Sequence, residues 1–129
     1  MQEPTFLTLD EIKLIHENQI QLYGGSLGIR DEPAVISALE APRWAYQYGQ
    51  SDWVELAAIY FYHLMMNHGF TDGNKRVGTV AAILFLDTNG YWLEMPDDEL
   101  EQLALQVAAG QLEKEEIAPR LRPYVNAAE

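Results

Sequence analysis

Residues 68–76 place a base, a carboxylate, a flexible turn and two cations within nine positions. The base is His68, whose imidazole exchanges protons near neutral pH, and the carboxylate belongs to Asp72. Lys75 and Arg76 are the only adjacent basic pair in a chain that has 8 basic and 20 acidic residues. A basic pair inside so acidic a chain predicts a focused anion site.

The start of a helix at the end of this segment would strengthen the anion site. From Lys75 onward, apolar residues recur with the spacing of one buried helix face. They are Val77, Val80, Ala81, Leu84 and Phe85. Gly73 and Asn74 immediately precede this helix, so its free backbone amides and the positive end of its dipole point into the segment. Such a helix end binds phosphate readily.

The spacing of residues excludes several other kinds of site. Three residues separate Gly69 from Gly73, whereas a Walker A loop places four residues between its first glycine and Gly-Lys. His63 and His68 are five residues apart, whereas a zinc-protease helix carries two histidines four apart with a glutamate after the first. Because the chain has no cysteine, a disulfide, a thiolate metal site and a cysteine nucleophile are also excluded.

The segment resembles the Fic motif, which consists of histidine, any residue, phenylalanine, any residue, aspartate or glutamate, glycine, asparagine, glycine or lysine, and arginine. The Asn-Lys-Arg ending is similar to the Doc (death-on-curing) branch rather than to the larger adenylyltransferases. The likeness extends to Tyr-Gly-Gly at 23–25, Asn-Gly at 89–90 and Ala-Ala-Gly at 108–110. The resemblance implies an all-α Fic/Doc fold with a central helix-loop-helix active-site motif.

The resemblance also implies a role for each polar residue of the segment. His68 would take a proton from a hydroxyl of a target protein, and Asp72 would hold Mg²⁺. Lys75 and Arg76 would neutralise charge that develops during phosphoryl transfer. Simpler alternatives are a capping histidine, an N-capping aspartate and a solvated cationic helix end. The nucleotide-binding residues that the resemblance implies are Gly73, Asn74, Lys75 and Arg76.

At the level of function, the resemblance implies the toxin of a type II toxin-antitoxin system. With ATP and Mg²⁺ it would phosphorylate a protein hydroxyl, a threonine of elongation factor Tu in the Doc branch, and so inhibit translation. A cognate antitoxin, Phd-like or other, would be encoded nearby. Two alternatives remain open, namely transfer of AMP to a protein hydroxyl and a non-catalytic Fic-fold module that binds the antitoxin.

Three positions bear on these alternatives. Lys75 replaces the glycine of the adenylyltransferases, and Thr79 stands where they carry a second arginine, so both speak against AMP transfer. Val80 stands where the Doc branch has an asparagine, so one polar contact to the nucleotide is absent.

A separate segment bears on regulation. Residues 51–55 match the first five positions of the inhibitory helix of autoinhibited Fic proteins, but Leu56 breaks the sixth. We therefore expect no internal inhibition.

Around the motif, the sequence predicts helices with defined ends. A capping box at Thr8 and Glu11 predicts a first helix that reaches about Tyr23 and ends at a Gly-Gly pair. Asp-Glu-Pro at 31–33 predicts the start of a second helix, which should end near Pro42.

Beyond the second helix, Trp44, Tyr46 and Tyr48 alternate with polar or small residues, which predicts a short β-flap over residues 43–51. A third helix should run to about Asn67, with Leu56, Tyr60 and Leu64 on its buried face.

The C-terminal part is predicted to contain a short extended piece at 91–93, a helix from about Pro96 to Gly110, and a last helix over 113–124 that Pro119 bends or divides. The count is six or seven helices in a single all-α domain over residues 1–129.

Composition limits the environment and the partners. The formal charge of −12 would repel nucleic acid, so we expect no direct nucleic-acid binding. No apolar stretch approaches the ~20 residues needed to span a bilayer, and the N-terminus lacks the basic region and apolar run of a signal peptide. The sequence therefore predicts a cytoplasmic protein without membrane contact.

Overall fold

A computed structural model describes residues 3–127, and within that range the chain forms six α-helices and one small sheet. The helices are α1 (Leu9–Tyr23), α2 (Glu32–Gln47), α3 (Trp53–Met66), α4 (Asn74–Thr88), α5 (Asp97–Ala108) and α6 (Ile117–Leu121). Short 3-10 turns at Lys114–Glu116 and Arg122–Tyr124 flank α6, and β1 (Tyr91–Leu93) pairs antiparallel with β2 (Val125–Ala127). The predicted all-α class is confirmed. None of the helices within residues 3–127 is long and apolar enough to cross a membrane.

The core is centred on α3, against which α2, α4 and α6 pack. The predicted inner face of α3 is buried and consists of Leu56, Tyr60 and Leu64. At Gly78, α4 approaches α3 so closely that an added Cβ would lie 2.9 Å from the carbonyl oxygen of Phe61. This contact fixes α4, whose first turn borders the loop that carries the motif.

The helix starts follow from capping residues that the sequence displays. Thr8 and Glu11 form the reciprocal capping box of α1, and that helix ends at Gly24, where φ is 82°. The carboxylates of Asp31 and Asp52 accept hydrogen bonds from the first-turn amides of α2 and α3. These side chains satisfy backbone amides that have no partner inside the helix.

The predicted β-flap over residues 43–51 is wrong, as is the predicted end of the second helix near Pro42, because α2 continues to Gln47. Pro42 is buried, so packing offsets the helical hydrogen bond that proline removes. Trp44 and Tyr48 stack with their ring centroids 6.1 Å apart. Residues four apart lie on one face of a helix. They also lie on one face of a strand, so the same two residues fit the alternation that predicted a strand.

The chain after α5 returns to the middle of the molecule. The predicted last helix is present as α6 with its two flanking 3-10 turns, and Pro119 lies inside α6. Arg122 Nη1 donates to Asp52 Oδ2 at 2.9 Å, which ties this region to the start of α3. The extended piece predicted at 91–93 is confirmed as β1, whereas β2 was not predicted.

Candidate active site

The loop between α3 and α4 is anchored to the segment that precedes α2. The carbonyl oxygen of Gly69 accepts hydrogen bonds from the backbone amides of Arg30 and Asp31, both at 2.9 Å. An added Cβ at Gly69 would overlap the side chain of Val35. Glycine at this position lets the loop pack closely against α2, and the two hydrogen bonds fix the start of the loop there.

His68 immediately precedes this anchor and is exposed. Its φ of 51° makes it the one non-glycine residue with a positive φ among residues 3–127. A left-handed backbone conformation costs a bulky residue of order 1–3 kcal/mol and persists where the surroundings enforce it. The anchored Gly69 beside it supports this backbone conformation, and the side chain of His68 is accessible to solvent.

Asn74 closes the loop with its side chain. Its Oδ1 accepts a hydrogen bond from the Phe70 amide at 3.1 Å, and its Nδ2 donates to the Phe70 carbonyl oxygen at 3.0 Å. The ring of Phe70 is 2% exposed and anchors the loop in the core. These two hydrogen bonds leave the backbone amide of Asn74 and the second hydrogen on its Nδ2 to contact an anion.

The start of α4 carries no side-chain cap. Gly73 occupies the N-cap position with φ of 81°, and no side chain within residues 3–127 hydrogen-bonds the first-turn amides of α4. These amides therefore keep their capacity to bind an anion, with the positive end of the helix dipole behind them.

Asp72 is held at three points. Its Oδ1 accepts a hydrogen bond from the Gly73 amide at 2.8 Å, and its Oδ2 accepts one from the Ser26 amide at 3.2 Å. Its backbone carbonyl oxygen lies 2.9 Å from Nε2 of His16. The carboxylate is exposed but oriented. The alternative that Asp72 is the N-cap of α4 is wrong, because Gly73 takes that position.

The carboxylate of Asp72 fits a magnesium ion of the kind that accompanies nucleotides. No group of three or more His, Cys, Asp or Glu side chains within residues 3–127 could hold a metal ion by itself. Mg²⁺ differs from a caged metal in that it keeps several waters and binds through one or two carboxylates plus substrate phosphates. A single oriented carboxylate beside an anion-binding helix end meets that requirement.

Arg76 bridges α4 and α1. Its Nη1 donates to the carbonyl oxygen of Gln19 at 3.1 Å, near the C-terminal end of α1, which has no basic residue in its own last turn. The negative end of the α1 dipole stabilises the guanidinium there. An added Cβ at Gly25 would lie 2.6 Å from Asp72 Oδ2 and 3.1 Å from Arg76 Nη2. Glycine at this position lets the backbone pass close to both groups.

All six residues predicted as site residues line one cavity of about 400 Å³. They are His68, Asp72, Gly73, Asn74, Lys75 and Arg76. A second cavity of about 460 Å³ shares Lys75 and Arg76 and extends between α1 and α5. The two positions that depart from the family pattern, Thr79 and Val80, line this second cavity. The hydroxyl of Thr79 donates to the Lys75 carbonyl oxygen at 2.8 Å.

Comparison with known proteins identifies this arrangement. Residues 6–86 match the model of the Fic/DOC family, a range that includes α3, the loop, and α4 except for its last two residues. The chain belongs to the Fic/DOC family. It is also 34% identical over 112 residues to a protein named Toxin Doc from Mycolicibacterium smegmatis, covering 83% of this chain and 85% of that protein.

The groups that align this Fic/DOC site were not predicted from the sequence. They are the imidazole of His16, the carbonyl of Gln19 and the amide of Ser26. Two of them are backbone groups, for which the sequence carries no side-chain signal. His16 had a signal, because it lies between Ile12 and Ile20 at four-residue intervals and so stands on the buried face of α1.

Proposed function

We propose that this Fic/DOC protein is the toxin of a type II toxin-antitoxin system, and that it transfers the γ-phosphate of ATP to a protein hydroxyl. A threonine of elongation factor Tu is the proposed target. The identity with the protein named Toxin Doc, over most of both chains, supports the role as a toxin. The observation that carries the chemistry is that an exposed histidine and an uncapped helix start line the same cavity.

In the proposed reaction, His68 accepts the proton of the target hydroxyl as its oxygen bonds to the γ-phosphorus, while the bond to the bridging oxygen of ATP breaks and ADP leaves. The amides at the start of α4 and the guanidinium of Arg76 stabilise the charge on the transferred group. Asp72 would hold Mg²⁺, which neutralises phosphate charge when it is bound.

The residues at positions 75 and 79 of α4 favour phosphate transfer over AMP transfer. Lys75 is exposed at the cavity, and it occupies the position at which a glycine would leave room for the β-phosphate in an adenylyltransferase. Thr79 supplies no charge to hold a γ-phosphate further along the helix, and its hydroxyl is bonded to the Lys75 carbonyl. An ATP with its γ-phosphate inward, towards His68, fits this set of groups.

Parallel reactions with γ-labelled and α-labelled ATP test the proposal, with purified elongation factor Tu as the acceptor. We expect label on the acceptor only from the γ-position. We expect His68→Ala to lower the rate about 100-fold or more with an unchanged melting temperature, since the side chain is exposed. Label from the α-position would replace the kinase assignment with AMP transfer. No label from either position, with no stabilisation by Mg²⁺ and ATP, would indicate a binding module.

The second cavity provides a place for the antitoxin. Tyr23 and Leu105 line it and are 71% and 47% exposed, respectively, and Leu100 and Ala104 add apolar surface. A helix or extended segment with apolar anchors can occupy such a groove. The groove shares Lys75 with the first cavity, which the six predicted site residues line and which we call the active cavity. An antitoxin segment in the groove would therefore also obstruct the nucleotide.

A further inference from the structure

His16 lies on α1, outside the motif, yet it contacts the loop at two places. Its side chain is 3% exposed, and it is the one buried polar or charged residue among residues 3–127. The imidazole ring stacks on Phe70 with centroids 4.1 Å apart and planes 15° apart. Its Nε2 atom lies 2.9 Å from the carbonyl oxygen of Asp72.

The partner of Nε2 decides where the ring carries its proton. A carbonyl oxygen only accepts hydrogen bonds, so Nε2 must be the donor. The same ring therefore supports the aromatic anchor of the loop with its face and holds the backbone of Asp72 with its edge. A phenylalanine ring at this position would supply the first contact and would leave a carbonyl oxygen without its donor.

We propose that His16 is a positioning residue, which through this hydrogen bond sets the placement of the Asp72 carboxylate at the cavity. Ser26, in the turn after α1, and Gly73 hold the two carboxylate oxygens, whereas His16 fixes the main chain from which that carboxylate extends. Since Arg76 is also held by α1, through Gln19, this helix aligns the proposed metal ligand with the proposed phosphate cation. The consequence for Mg²⁺ rests on the proposed function.

Two substitutions separate the hydrogen bond from the ring packing. His16→Phe keeps the stacked ring and removes the donor, whereas His16→Gln removes the ring and keeps an amide donor with the reach of Nε2. Glu17→Gln, at the exposed neighbouring residue of the same helix, is the matched control. Isothermal titration of ATP at a series of Mg²⁺ concentrations measures the Mg²⁺ needed for half-maximal binding.

We expect the phenylalanine variant to need about 10-fold more Mg²⁺ or greater, the usual effect of losing a group that orients a metal ligand. The glutamine variant should recover much of the wild-type response, and the control should match wild type. A phenylalanine variant with wild-type Mg²⁺ dependence, beside an impaired glutamine variant, would show that only ring packing matters and would overturn the proposal.

Nuclear magnetic resonance without nucleotide tests the same arrangement independently of the proposed function. In protein labelled with ¹⁵N at histidine, the His16 signals should show a proton on Nε2, and a ring protonated only at Nδ1 would refute the hydrogen bond. The Ser26 amide, which reports on Asp72 Oδ2, should shift in His16→Phe and stay in place in Glu17→Gln. An unshifted amide would overturn the positioning role. If wild type fails to bind ATP while both signals behave as expected, the proposed function fails and the positioning role stands.

Discussion

The charged and polar side chains of the site are held mainly by backbone groups rather than by one another. Asp72 accepts hydrogen bonds from two amides, Asn74 makes a pair of hydrogen bonds with the backbone of Phe70, and Arg76 donates to the carbonyl oxygen of Gln19. Backbone groups do not change with the side chain that carries them. Each of these contacts can therefore be tested by substituting the side chain alone.

The first prediction concerns Asp72. We expect Asp72→Ala to abolish the Mg²⁺-dependent part of ATP binding, because no other acidic residue among residues 3–127 lines the active cavity. Titration of ATP with and without Mg²⁺ measures this. Asp87→Ala, at the exposed far end of α4, is the control and should bind like wild type. Unchanged Mg²⁺ dependence in the Asp72 variant would assign the metal to another ligand.

The second prediction concerns Lys75. Its ammonium faces no acidic partner within 4 Å among residues 3–127, so a substitution changes the cavity rather than an ion pair. We expect Lys75→Gly to slow γ-phosphate transfer, and Lys75→Ala to slow it to a similar extent without the added flexibility of glycine. Initial rates with γ-labelled ATP measure both variants. If both retain the wild-type rate, Lys75 does not contact the transferred phosphate.

The sequence predicted which residues of the loop meet at the cavity, because they are adjacent in the chain and precede a recognisable helix. It did not predict what aligns them. His16 lies 56 positions from Asp72, and Gln19 lies 57 positions from Arg76, so these contacts depend on how α1 packs against α4. Local spacing contains no information about that packing.

Among the secondary-structure elements, α3 and α4 carry the site between them, and their close approach depends on Gly78. The sequence predicted α3, α4 and the start of α2, since caps and apolar spacing are local signals. It failed at residues 43–51, where Trp44 and Tyr48 fit both a strand and a helix. The burial of Pro42, a tertiary effect, allowed α2 to continue.

The third prediction tests the contact between these two helices. In Gly78→Ala the new methyl group would press on the carbonyl oxygen of Phe61. We expect a loss of about 1–3 kcal/mol in the free energy of unfolding, although alanine is the better helix former by about 1 kcal/mol. Urea denaturation measures the loss. Thr79→Ala, at the next position, should be nearly neutral, and a stabilised Gly78 variant would show that the helices can separate without cost.

The fourth prediction concerns pH and uses His63 on α3. Burial, with a contribution from the charge of Lys114, lowers the pKa of His63 below its usual 6.5. Between that lowered pKa and 6.5, the unfolded chain binds a proton that the folded chain does not, so this residue makes stability fall as pH drops below about 6.5. In His63→Gln the free energy of unfolding should fall less over that interval. Parallel pH profiles for both proteins would contradict this.

In the molecule as a whole, the two basic residues of the site belong to a chain in which acidic residues greatly outnumber basic ones. The chain carries a formal charge of −12, and Lys75 and Arg76 lie together at the cavity. The glutamate that matched part of an inhibitory helix, Glu55, lines a different cavity and lies 3.7 Å from Arg122. Its pairing there supports the expectation that Glu55 does not occupy the anion site as an inhibitor.

The last prediction follows from the expectation that Glu55 leaves the anion site open. Expression of the protein alone should arrest growth of a bacterial host and reduce incorporation of labelled amino acids into protein. His68→Ala, produced at the same soluble level, should permit growth, because it removes the proposed general base and leaves the exposed surface otherwise intact. Co-expression of the protein encoded beside the toxin should relieve the arrest. Substitution of the groove residues Tyr23 and Leu105 by serine should weaken that relief while leaving toxicity in place, since neither residue lines the active cavity. Unimpaired growth with abundant soluble wild-type protein would contradict the assignment as a toxin.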